Sequence, residues 1–414
     1  MNPLRRIEQE VLALGREWTR LEWQKRLQEQ CDAMPMECAP TGQPLKNTRG
    51  RQMELDTVSG KVALRARHGR PAPHKKWVCP ARVAWGLSPS ERKTPELQAR
   101  LAYTATGVGS YAEAETMAAT WGTPVSDGGI HQPVQSLGSR AQALGWPTPL
   151  AGKSEPPFSR VIMRDGWMAR ERGADWGAGP RKKNPQRVEW REIQSAVIYR
   201  REPRVENASG RGLLLEKYTV ATPPETSPVE FGSPVHREAL RRGLARAQVV
   251  YLVMDGAVWL WDLAEDRFKE AVQTLDFHHA REHLPAVAES LHSPGTPQSK
   301  EWLRGMLHRL RHGKETPVVP GLAQRLESPG QPSAEPQEII TREVNYFQEH
   351  EDHLHYSALE KAGAPRGSGA VESLGKQLQR RLRGWGQFWG RPGLTRLLHL
   401  SALVKNHDHH HLWN

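Results

Sequence analysis

The amino-acid sequence predicts an α/β protein whose central element is a mixed β-sheet. Three strand-like segments follow one another between residues 159 and 222, separated by turns rich in Gly, Pro or basic residues, as in an antiparallel meander. Helical and strand-like segments then alternate up to residue 280, which is the pattern of strands joined by helices. In chain order the segments are strands 159–173, 188–202 and 210–222, helix 236–247, strand 248–256, helix 257–268 and strand 271–280.

The charge of the chain indicates an anionic partner. Its 414 residues include 58 Lys and Arg against 46 Asp and Glu, which gives a net charge of +12 and a pI near 9.7. Such an excess favours nucleic acid as the partner, although a basic surface without any partner would give the same composition. The charge alone therefore leaves both interpretations open.

Secretion and membrane insertion are not expected. No apolar run reaches the roughly 20 residues that span a bilayer, and the first segment, MNPLRRIEQEVLALGREW, lacks the apolar core of a signal peptide. Cys31, Cys38 and Cys79 form no CxxC pair, so the sequence offers neither a disulfide framework nor a four-cysteine zinc site. We therefore expect a cytoplasmic protein without a membrane partner.

The first 94 residues combine a helix with a basic segment. Residues 1–40 have apolar side chains at helical spacing among charges, which is typical of an amphipathic helix used for packing or dimerisation. Residues 41–94 are basic and interrupted by Gly and Pro, and only segment 60–67 resembles a strand, so this part is either a linker or a small β unit. The apolar residues of the helix are Leu4, Ile7, Val11, Leu14, Trp18, Leu21 and Leu27.

Residues 95–150 are helical and have the layout of a helix-turn-helix, a motif that reads DNA. One helix would end at Trp121, Gly122 would provide a left-handed turn, and Ser126 would cap the next helix. Pro133 falls inside that second helix, where a proline costs about 3 kcal/mol. A plain helical hairpin therefore fits the sequence as well as a DNA reader does.

Two carboxylates follow apolar strands of the predicted sheet. Asp255 ends the run VVYLV, which has the composition of a strand buried on both faces, and Asp165 follows VIM on the first strand. If these strands are neighbours, the two acids meet, and a divalent metal with oxygen ligands is the usual way to stabilise such a pair. Each acid also precedes a glycine, and an Asp-Gly pair is a common turn signal, which is the alternative interpretation.

A third acid lies on a helix near the end of the chain. The segment GSGAVESLGKQLQRRLRG has a flexible start, Ser368 is suited to cap the helix, and Glu372 lies beside its apolar stripe. Glu372 followed by phosphate-seeking side chains suits a metal ligand that faces a nucleic-acid backbone, whereas an ion pair between Glu372 and Lys376 is the ordinary alternative. The predicted DNA-binding residues of this helix are Lys376, Gln379, Arg380 and Arg383.

Together these residues resemble the DDE transposases of bacterial insertion sequences, in particular the Kra-type group related to the Mutator-like superfamily. The similarity covers about residues 159–410 and rests on MDGAVWLW, LDFHHAREHL and NYFQEHEDHLHYSALEKAGAPRGSGAVES with its later GQFW. The resemblance implies an RNase H-like sheet with an inserted helical subdomain. It also implies that Asp165, Asp255 and Glu372 are catalytic and hold two Mg²⁺ or Mn²⁺ ions.

The same resemblance implies a reaction and its partners. Asp276 and His279 would shape the site or contact DNA, although His279 also fits a packed histidine at a strand end. The enzyme would cut the terminal inverted repeats of its element and join them to target DNA. It would act in the bacterial cytoplasm as a homo-oligomer on DNA. The alternatives are a domesticated or decayed transposase that only binds DNA, and an RNase H-like nuclease that cuts without joining; the presence of all three acids argues against decay.

The resemblance also divides the second half of the chain. Residues 151–285 and 356–405 would form the catalytic domain, and residues 286–355 a helical insertion, because Asp255 and Glu372 are 117 positions apart. In related proteins a cysteine-paired segment is common upstream, whereas here only Cys79 remains, so no metal knuckle is expected. Further predicted DNA-binding residues in the insertion are Arg304, Arg309 and Arg311, with His308, His312 and Lys314 in the same basic segment.

The remaining aromatic and histidine residues are less specific. Trp259 and Trp261 are expected to pack in the core, since Trp is usually buried. A second group either packs or stacks on bases near a cleaved end. The tail, residues 406–414, could chelate a metal, but we expect a disordered terminus. The second aromatic group is Trp385, Phe388 and Trp389, and the tail histidines are His407, His409, His410 and His411.

Overall fold

The structure is a computed structural model, and the chain divides into two compact units. Unit 1 contains Met1–Leu144 and His399–Asn414, and unit 2 contains Gly145–Leu398. Within the described part of the chain, no helix is both long and apolar enough to cross a membrane. The described residues are 2–38, 41–72, 75–144, 156–173, 176, 187–202, 204–206, 208, 212–214, 216–312, 320–322 and 334–413.

Unit 1 begins with a long helix that packs on a two-stranded β-ribbon. Helix α1 (Pro3–Ala33) starts where the Asn2 side chain accepts a hydrogen bond from the amide of Leu4. Two short strands follow, β1 (Glu37–Cys38) and β2 (Gln43–Pro44). Strands β3 (Lys46–Thr57) and β4 (Gly60–Arg70) then pair antiparallel as the ribbon, and β4 contains the predicted strand 60–67.

One face of the ribbon forms the core of this region. Alternate residues of β3 and β4 are buried there, because successive side chains of a strand point to opposite faces. They pack against Cys31 of α1 and against Cys79, and both thiols are free. Burial and the neighbouring Cys79 raise the pKa of the Cys31 thiol to about 11. The buried ribbon residues are Met53, Leu55, Val62, Leu64 and Ala66.

The apolar residues that recur at helical spacing along α1, here called the seam, mostly face solvent and not the core. The exposed fraction of its six N-terminal members lies between 52% and 71%, whereas Leu27 packs against the ribbon core. The sequence left packing and dimerisation open; among the described residues, the C-terminal part of the helix packs on the ribbon core through Leu27 and Cys31, whereas the six seam residues do not. The exposed seam residues are Leu4, Ile7, Val11, Leu14, Trp18 and Leu21.

Four further helices complete the first part of unit 1, and two of them have the expected helix-turn-helix layout. Trp121 follows the end of α4, Gly122 has a φ of +79°, and the Ser126 hydroxyl accepts a hydrogen bond from the Gly129 amide over 3.2 Å. Helix α5 continues through the buried Pro133 without interruption. The helices are α2 (Pro80–Ala84), α3 (Pro95–Gly107), α4 (Tyr111–Thr120) and α5 (Asp127–Leu144).

The His-rich tail is ordered, so the prediction of a disordered terminus is wrong. His409–Trp413 form a 3₁₀ helix whose Leu412 is only 8% exposed. The Asp408 amide donates to the carbonyl of Leu403 and His407 has a φ of +59°, which together cap the end of the preceding helix at the start of the tail. Asn406 and Asp408 are buried together with Leu412, and a run of histidines in the sequence does not reveal this packing.

Unit 2 is built on a five-stranded mixed sheet, which confirms the predicted α/β class. The strands are β5 (Ser159–Arg172), β6 (Val188–Arg200), β9 (Lys217–Thr222), β10 (Val249–Met254) and β11 (Val272–Leu275). The first three form the expected antiparallel meander, β5 with β6 and β6 with β9. Strands β10 and β11 are parallel to β5 and lie on its other side, in the order β11-β10-β5-β6-β9. A separate hairpin joins β7 (Arg204–Glu206) and β8 (Gly212–Leu214).

Two helices between the strands cover one face of this sheet. Helix α6 (Pro228–Arg241) begins with a capping box of Ser227 and Glu230, and so starts earlier than the predicted helix 236–247. Helix α7 (Val258–Arg267) follows β10. The core between these helices and the sheet contains Ile162, Ile198, Val220 and Leu252 from strands and Phe231, Val235, Leu260 and Ala264 from helices.

The last predicted strand is shorter than expected. Segment 271–280 was predicted to be one strand, but β11 ends at Leu275 and helix α8 (Phe277–His292) begins at once. The Asp276 carboxylate accepts a hydrogen bond from the His278 amide over 2.9 Å and thereby caps α8. His279 consequently lies in the first turn of a helix and not at a strand end, which corrects that interpretation.

The rest of unit 2, as far as the structure describes it, is mainly helical. In the region predicted as an insertion, 286–355, the described residues include the end of α8 and the helices α9 (Pro297–Arg311) and α10 (Ala334–Glu349). A 3₁₀ turn at Glu351–His353 and the short helix α11 lead to the helix that contains Glu372, α12. The remaining bounds are α11 (Tyr356–Lys361), α12 (Gly369–Leu382) and α13 (Arg391–Lys405), whose last residues belong to unit 1.

Candidate active site

Three aspartates lie level with one another on neighbouring parallel strands. Val253 of β10 pairs with Met163 of β5, so two residues further along the chain Asp255 is level with Asp165. The strands that carry these two acids are therefore adjacent, as predicted. Adjacent strands of a sheet are about 4.8 Å apart, which brings the two backbones close together at this point.

Asp276 extends this row by one strand. Met254 of β10 pairs with Leu275 of β11, so the next residue of each strand, Asp255 and Asp276, are level as well. The Asp276 amide donates to the carbonyl of Met254 over 2.7 Å, which fixes its backbone at the strand end. Asp276 is only 6% exposed, so its carboxylate is part of the interior of the site.

Ser368 connects Asp276 to Glu372. The Ser368 hydroxyl makes a short hydrogen bond to the Asp276 carboxylate and lies 3.1 Å from Oε1 of Glu372. A hydroxyl has one proton, so it donates to only one of the two carboxylates at a time. Ser368 stands at the N-cap position of α12 as predicted, but its side chain makes no capping bond to a helix amide. Its hydroxyl instead holds the two acids together.

The acids influence one another electrostatically. The pKa of Asp165 is raised from 3.8 to about 6, and burial is the largest cause. The charges of Asp255, Glu372 and Asp276 act in the same direction, while a hydrogen bond from the Gly166 backbone opposes them. All four carboxylates therefore lie within electrostatic reach of one point on β5.

In their present side-chain conformations, these carboxylates are not arranged to coordinate one metal ion together. In the described ranges, no three His, Cys, Asp or Glu side chains are grouped so that they could hold one metal ion. Two of the acids contact donors near them in the chain: Asp255 accepts from the Ala257 amide over 3.1 Å, and Glu372 lies 3.7 Å from the ammonium of Lys376. The ion pair between Glu372 and Lys376, the ordinary alternative from the sequence, is thus present.

Tyr346 of α10 and His350, which follows the end of that helix, lie at the turn after Asp255. The hydroxyl of Tyr346 approaches Gly256 so closely that a Cβ added there would lie 2.4 Å from it. That hydroxyl is buried and has no hydrogen-bond partner among the described residues. Burial, followed by the charges of Asp255, Glu343 and Asp276, raises the pKa of Tyr346. Burial also lowers the pKa of His350, while Glu349 and the Gly256 backbone oppose that shift.

Tyr346 and Ser368 lie beside the acidic residues of the site, and the sequence did not predict this role for either of them. Tyr346 lies within NYFQEHEDHLHYSALEKAGAPRGSGAVES, the stretch that carried the resemblance, yet no spacing rule links it to Asp255, 91 positions earlier. Ser368 was expected only as a helix cap. Two glycines lie at these contacts in the structure: a Cβ at Gly256 would lie 2.4 Å from the Tyr346 hydroxyl, and a Cβ at Gly367 would lie 2.9 Å from His278 and 3.2 Å from Asp276.

A group of stacked rings continues from Tyr346. Its ring stacks on His283 with centroids 3.7 Å apart, and His283 Nδ1 lies 2.5 Å from the carboxylate of Glu343. His279 contacts the edges of His283 and Tyr346, with centroids 5.4 Å and 6.3 Å away. His279 therefore borders the site through Tyr346, and no described contact links it to Asp276.

The predicted DNA-binding residues of α12 lie mainly on its exposed side. Lys376, Arg380 and Arg383 are exposed, and Arg383 lies over the Trp190 ring, 5.0 Å from its centroid. Gln379 is half-buried and accepts from Arg383 over 3.4 Å. Three of the four predicted residues are thus available to an anion on this helix.

The basic residues of α9 form a second exposed row. Arg304, His308 and Arg311 follow one another at intervals of four and three residues, so they share one face of the helix. All three are exposed, as are Arg309 and the following His312. Lys314, predicted in the same segment, lies outside the described residues.

The aromatic residues fall into packed and exposed groups. Trp261 stacks on His353 with centroids 3.9 Å apart, which confirms packing for this residue; the side chain of Trp259 lies outside the described part. The indole of Trp389 donates to the Leu382 carbonyl, and its backbone pairs with the end of β5, so it also packs. Phe388 is half-buried beside Trp176, whereas Trp385 is fully exposed.

Comparison with known proteins adds no identification. Neither the protein-family models nor the curated protein sequences contain a match to this chain.

Proposed function

We propose that the protein is a metal-dependent DNA transposase of the DDE type, which cuts phosphodiester bonds at DNA ends and joins those ends to target DNA. The observation that carries the proposal is the register of β5, β10 and β11, by which Asp165, Asp255 and Asp276 are level on adjacent strands. Glu372 contributes a fourth carboxylate whose charge reaches Asp165. A meander followed by two parallel strands supports the RNase H-like sheet that the resemblance implies.

The chemistry of the carboxylates fits Mg²⁺ or Mn²⁺. They are hard oxygen donors, which both ions prefer. Burial and neighbouring negative charges raise the pKa of Asp165, and a bound divalent cation would reverse that electrostatic cost. Asp165, Asp255 and Glu372 would hold the ions, with Asp276 beside them. Two such ions, when bound, activate the attacking oxygen and stabilise the leaving oxygen of a phosphodiester.

Two hydroxyl groups of the chain would support this site. Ser368 holds Asp276 and Glu372 in place, so it would keep the acid of α12 next to the strand ends. The buried hydroxyl of Tyr346 beside Asp255 would donate a hydrogen bond to a phosphate oxygen or to the attacking water. His279, which touches the Tyr346 ring, would shape the site by fixing that ring.

DNA would be positioned by the exposed basic rows of α9 and α12. Charged groups at these helices neutralise phosphates without reading sequence, so they would set the register of the DNA. The residues proposed for this contact are Arg304, Arg309 and Arg311 of α9 and Lys376, Gln379, Arg380 and Arg383 of α12.

A second candidate is a domesticated or decayed transposase that binds DNA without cutting it. Its support is the side-chain arrangement of the acids: Glu372 lies beside Lys376, and no group of three ligands is assembled within the described residues. The basic surface would serve either function. Catalysis is favoured because three aspartates are level on adjacent strands and the charge of Glu372 reaches Asp165. Such unfavourable contacts between like charges would serve no purpose in a protein that only binds DNA.

Assembly into a homo-oligomer on DNA would use the exposed seam of α1. The six seam residues follow one another at intervals of three and four, which is the spacing of coiled-coil a and d positions. Three glutamates near the seam, Glu10, Glu17 and Glu22, are each paired with an arginine of the same helix, which reduces repulsion between two copies. A second copy of α1 is therefore the proposed occupant of the seam.

The function is tested by incubating the protein with labelled DNA that contains the sequences flanking its gene. Addition of Mg²⁺ or Mn²⁺ should produce cleaved 3′ ends and products in which those ends are joined to a second DNA. Cleavage without joining would instead identify a nuclease, and binding without cleavage would identify the non-catalytic alternative. Mapping the ends by sequencing distinguishes the three outcomes.

A further inference from the structure

A cluster of arginines surrounds one tryptophan at the open end of the β-ribbon in unit 1. The ring of Trp77 has the guanidinium carbons of Arg49, Arg51 and Arg70 at 5.7, 4.8 and 4.7 Å from its centroid. We call these four residues the Trp77 cluster. Cation–π contacts of this kind hold guanidinium groups in place while their N–H edges stay available to an anion.

The backbone fixes the cluster to the ribbon. Val78, next to Trp77, exchanges two hydrogen bonds with Gly69 of β4, over 2.8 and 3.0 Å. Arg49 and Arg51 lie on β3, on the same face as the buried Met53, because they are two and four residues before it. The cluster therefore continues the core face of the ribbon beyond the end of the core.

The open end of the ribbon is accessible and strongly positive. All residues from 46 to 52 of β3 are exposed, whereas burial begins at Met53. Residues 41–94 contain 12 Lys and Arg against three Asp and Glu, a net charge of +9 out of +12 for the whole chain. Among the described residues neither Arg49 nor Arg51 forms an ion pair, so their charge is not neutralised within the structure.

The shape of this element selects one class of polyanion. A two-stranded β-ribbon fits the major groove of B-form DNA, which is about 12 Å wide, but not the deep and narrow major groove of an RNA duplex. Arg65 lies over Gly50 on the opposite face, and Arg67 next to it is exposed, so phosphates on both sides of a groove can be reached. Three guanidinium groups around one ring repel each other, and a phosphate backbone relieves that repulsion.

We propose that the open end of the β3–β4 ribbon, with the Trp77 cluster, is a binding site for the phosphate backbone of double-stranded DNA. The site is separate from the rows of α9 and α12 and from the helix-turn-helix layout of α4 and α5. It rests on the proposed function only for the choice of DNA as partner. Arg49 and Arg51 contact phosphates, and Trp77 orients their guanidinium groups.

The test measures binding of the full-length protein to a labelled DNA duplex of about 30 base pairs as a function of salt. The double variant Arg49→Ala/Arg51→Ala should bind at least about tenfold more weakly near 0.1 M salt, and its log–log salt slope should be smaller by about 1.8, or 0.9 per phosphate contact. Arg49→Lys/Arg51→Lys keeps both charges and should retain the slope. Both variants should unfold at the parental temperature, because the side chains are exposed.

The matched control is Arg5→Ala/Lys25→Ala, which removes two exposed charges from α1 in the same unit and should leave the salt slope unchanged. The proposal is overturned if the Arg49/Arg51 variant binds like the parent, if the α1 control loses as much affinity, or if an RNA duplex of equal length competes equally well. A parent that binds through the ribbon but never cuts DNA contradicts the proposed function and leaves the ribbon site intact.

Discussion

Asp255 lies level with Asp165 because β10 and β5 run parallel in a fixed register, in which Val249 pairs with Ser159 and Val253 with Met163. The strand residues before both acids are largely buried, so a slip of one residue would turn apolar side chains out of the core. The two carboxylates are therefore held at one height by the packing of the sheet. Their closeness has measurable consequences for stability and for chemistry.

The first consequence is a pH dependence of stability. The pKa of Asp165 is raised to about 6 in the folded protein, against an ordinary value of 3.8. As pH rises, the Asp165 side chain therefore keeps its proton longer in the folded state than in the unfolded state. The contribution of Asp165 to the free energy of unfolding is full below about pH 4 and is lost as pH rises through about 6. Asp165→Asn should remove this decline, a gain on the order of 1 to 2 kcal/mol at pH 8 after allowance for solvent screening.

Urea unfolding of both proteins between pH 4 and pH 8 measures this effect. The exposed Asp262 of α7 provides a control, since Asp262→Asn should preserve the parental pH profile. If the free energy of unfolding of Asp165→Asn declined with pH as steeply as that of the parent, the claim that burial and the neighbouring acids raise the pKa of Asp165 would be wrong.

A second expectation concerns the hydroxyl between Asp276 and Glu372. Ser368→Ala removes a donor from the buried Asp276 carboxylate and should lower the free energy of unfolding by about 1–3 kcal/mol. Ser373 follows Glu372 in α12, but its hydroxyl lies 3.4 Å from the amide of the exposed Gln377, so Ser373→Ala should change the free energy of unfolding by less than about 0.5 kcal/mol. Equal losses in the two variants would show that Ser368 does not hold the acids.

A third expectation concerns the Tyr346 hydroxyl. Because this buried group has no partner among the described residues, Tyr346→Phe should leave the free energy of unfolding unchanged or raise it. The same change should slow DNA cleavage by about tenfold or more if the hydroxyl contacts the reacting phosphate or water. A less stable variant with parental cleavage would mean that the hydroxyl is structural, so both unfolding and cleavage rates must be measured.

A fourth expectation concerns the seam of α1. Leu14 is 71% exposed, so Leu14→Glu should fold normally but prevent two copies of the helix from pairing. Ala13→Glu introduces the same charge at a neighbouring exposed position off the seam and should not affect association. Sedimentation over a range of protein concentrations compares the two variants with the parent. A parent that remains monomeric with and without DNA would exclude this use of the seam.

The sequence was sufficient for the strand framework because two signals coincide there. Apolar runs with an Asp shortly after them predicted both the buried strands and the positions of Asp165 and Asp255, and neighbouring strands bring such residues together. The meander was predicted for a similar reason, since the turns between its strands are rich in Gly, Pro and basic residues. Local pattern and tertiary structure agree in this part of the chain.

The sequence was insufficient where contacts between distant segments decide the structure. The start of α8 was missed because its first turn, FHHA, shows no helical apolar stripe and depends on Asp276 as a cap. The Tyr346 hydroxyl and Ser368 join the site only through packing of α10 and α12, which no spacing rule predicts. The tail was misjudged because the burial of one residue, Leu412, is invisible in a histidine-rich sequence.

The most direct test of the proposed chemistry is cleavage and strand transfer by Asp255→Ala. The labelled DNA ends are incubated with Mg²⁺ or Mn²⁺, and binding is titrated in parallel at fixed salt. Asp255→Ala should abolish cutting and joining while DNA affinity stays equal or rises slightly, because a negative charge near phosphate is removed. The control Asp262→Ala, which alters an exposed acid on α7, should cut at the parental rate. Parental cleavage by Asp255→Ala, or an equally complete loss in Asp262→Ala, would contradict a metal-binding role for Asp255.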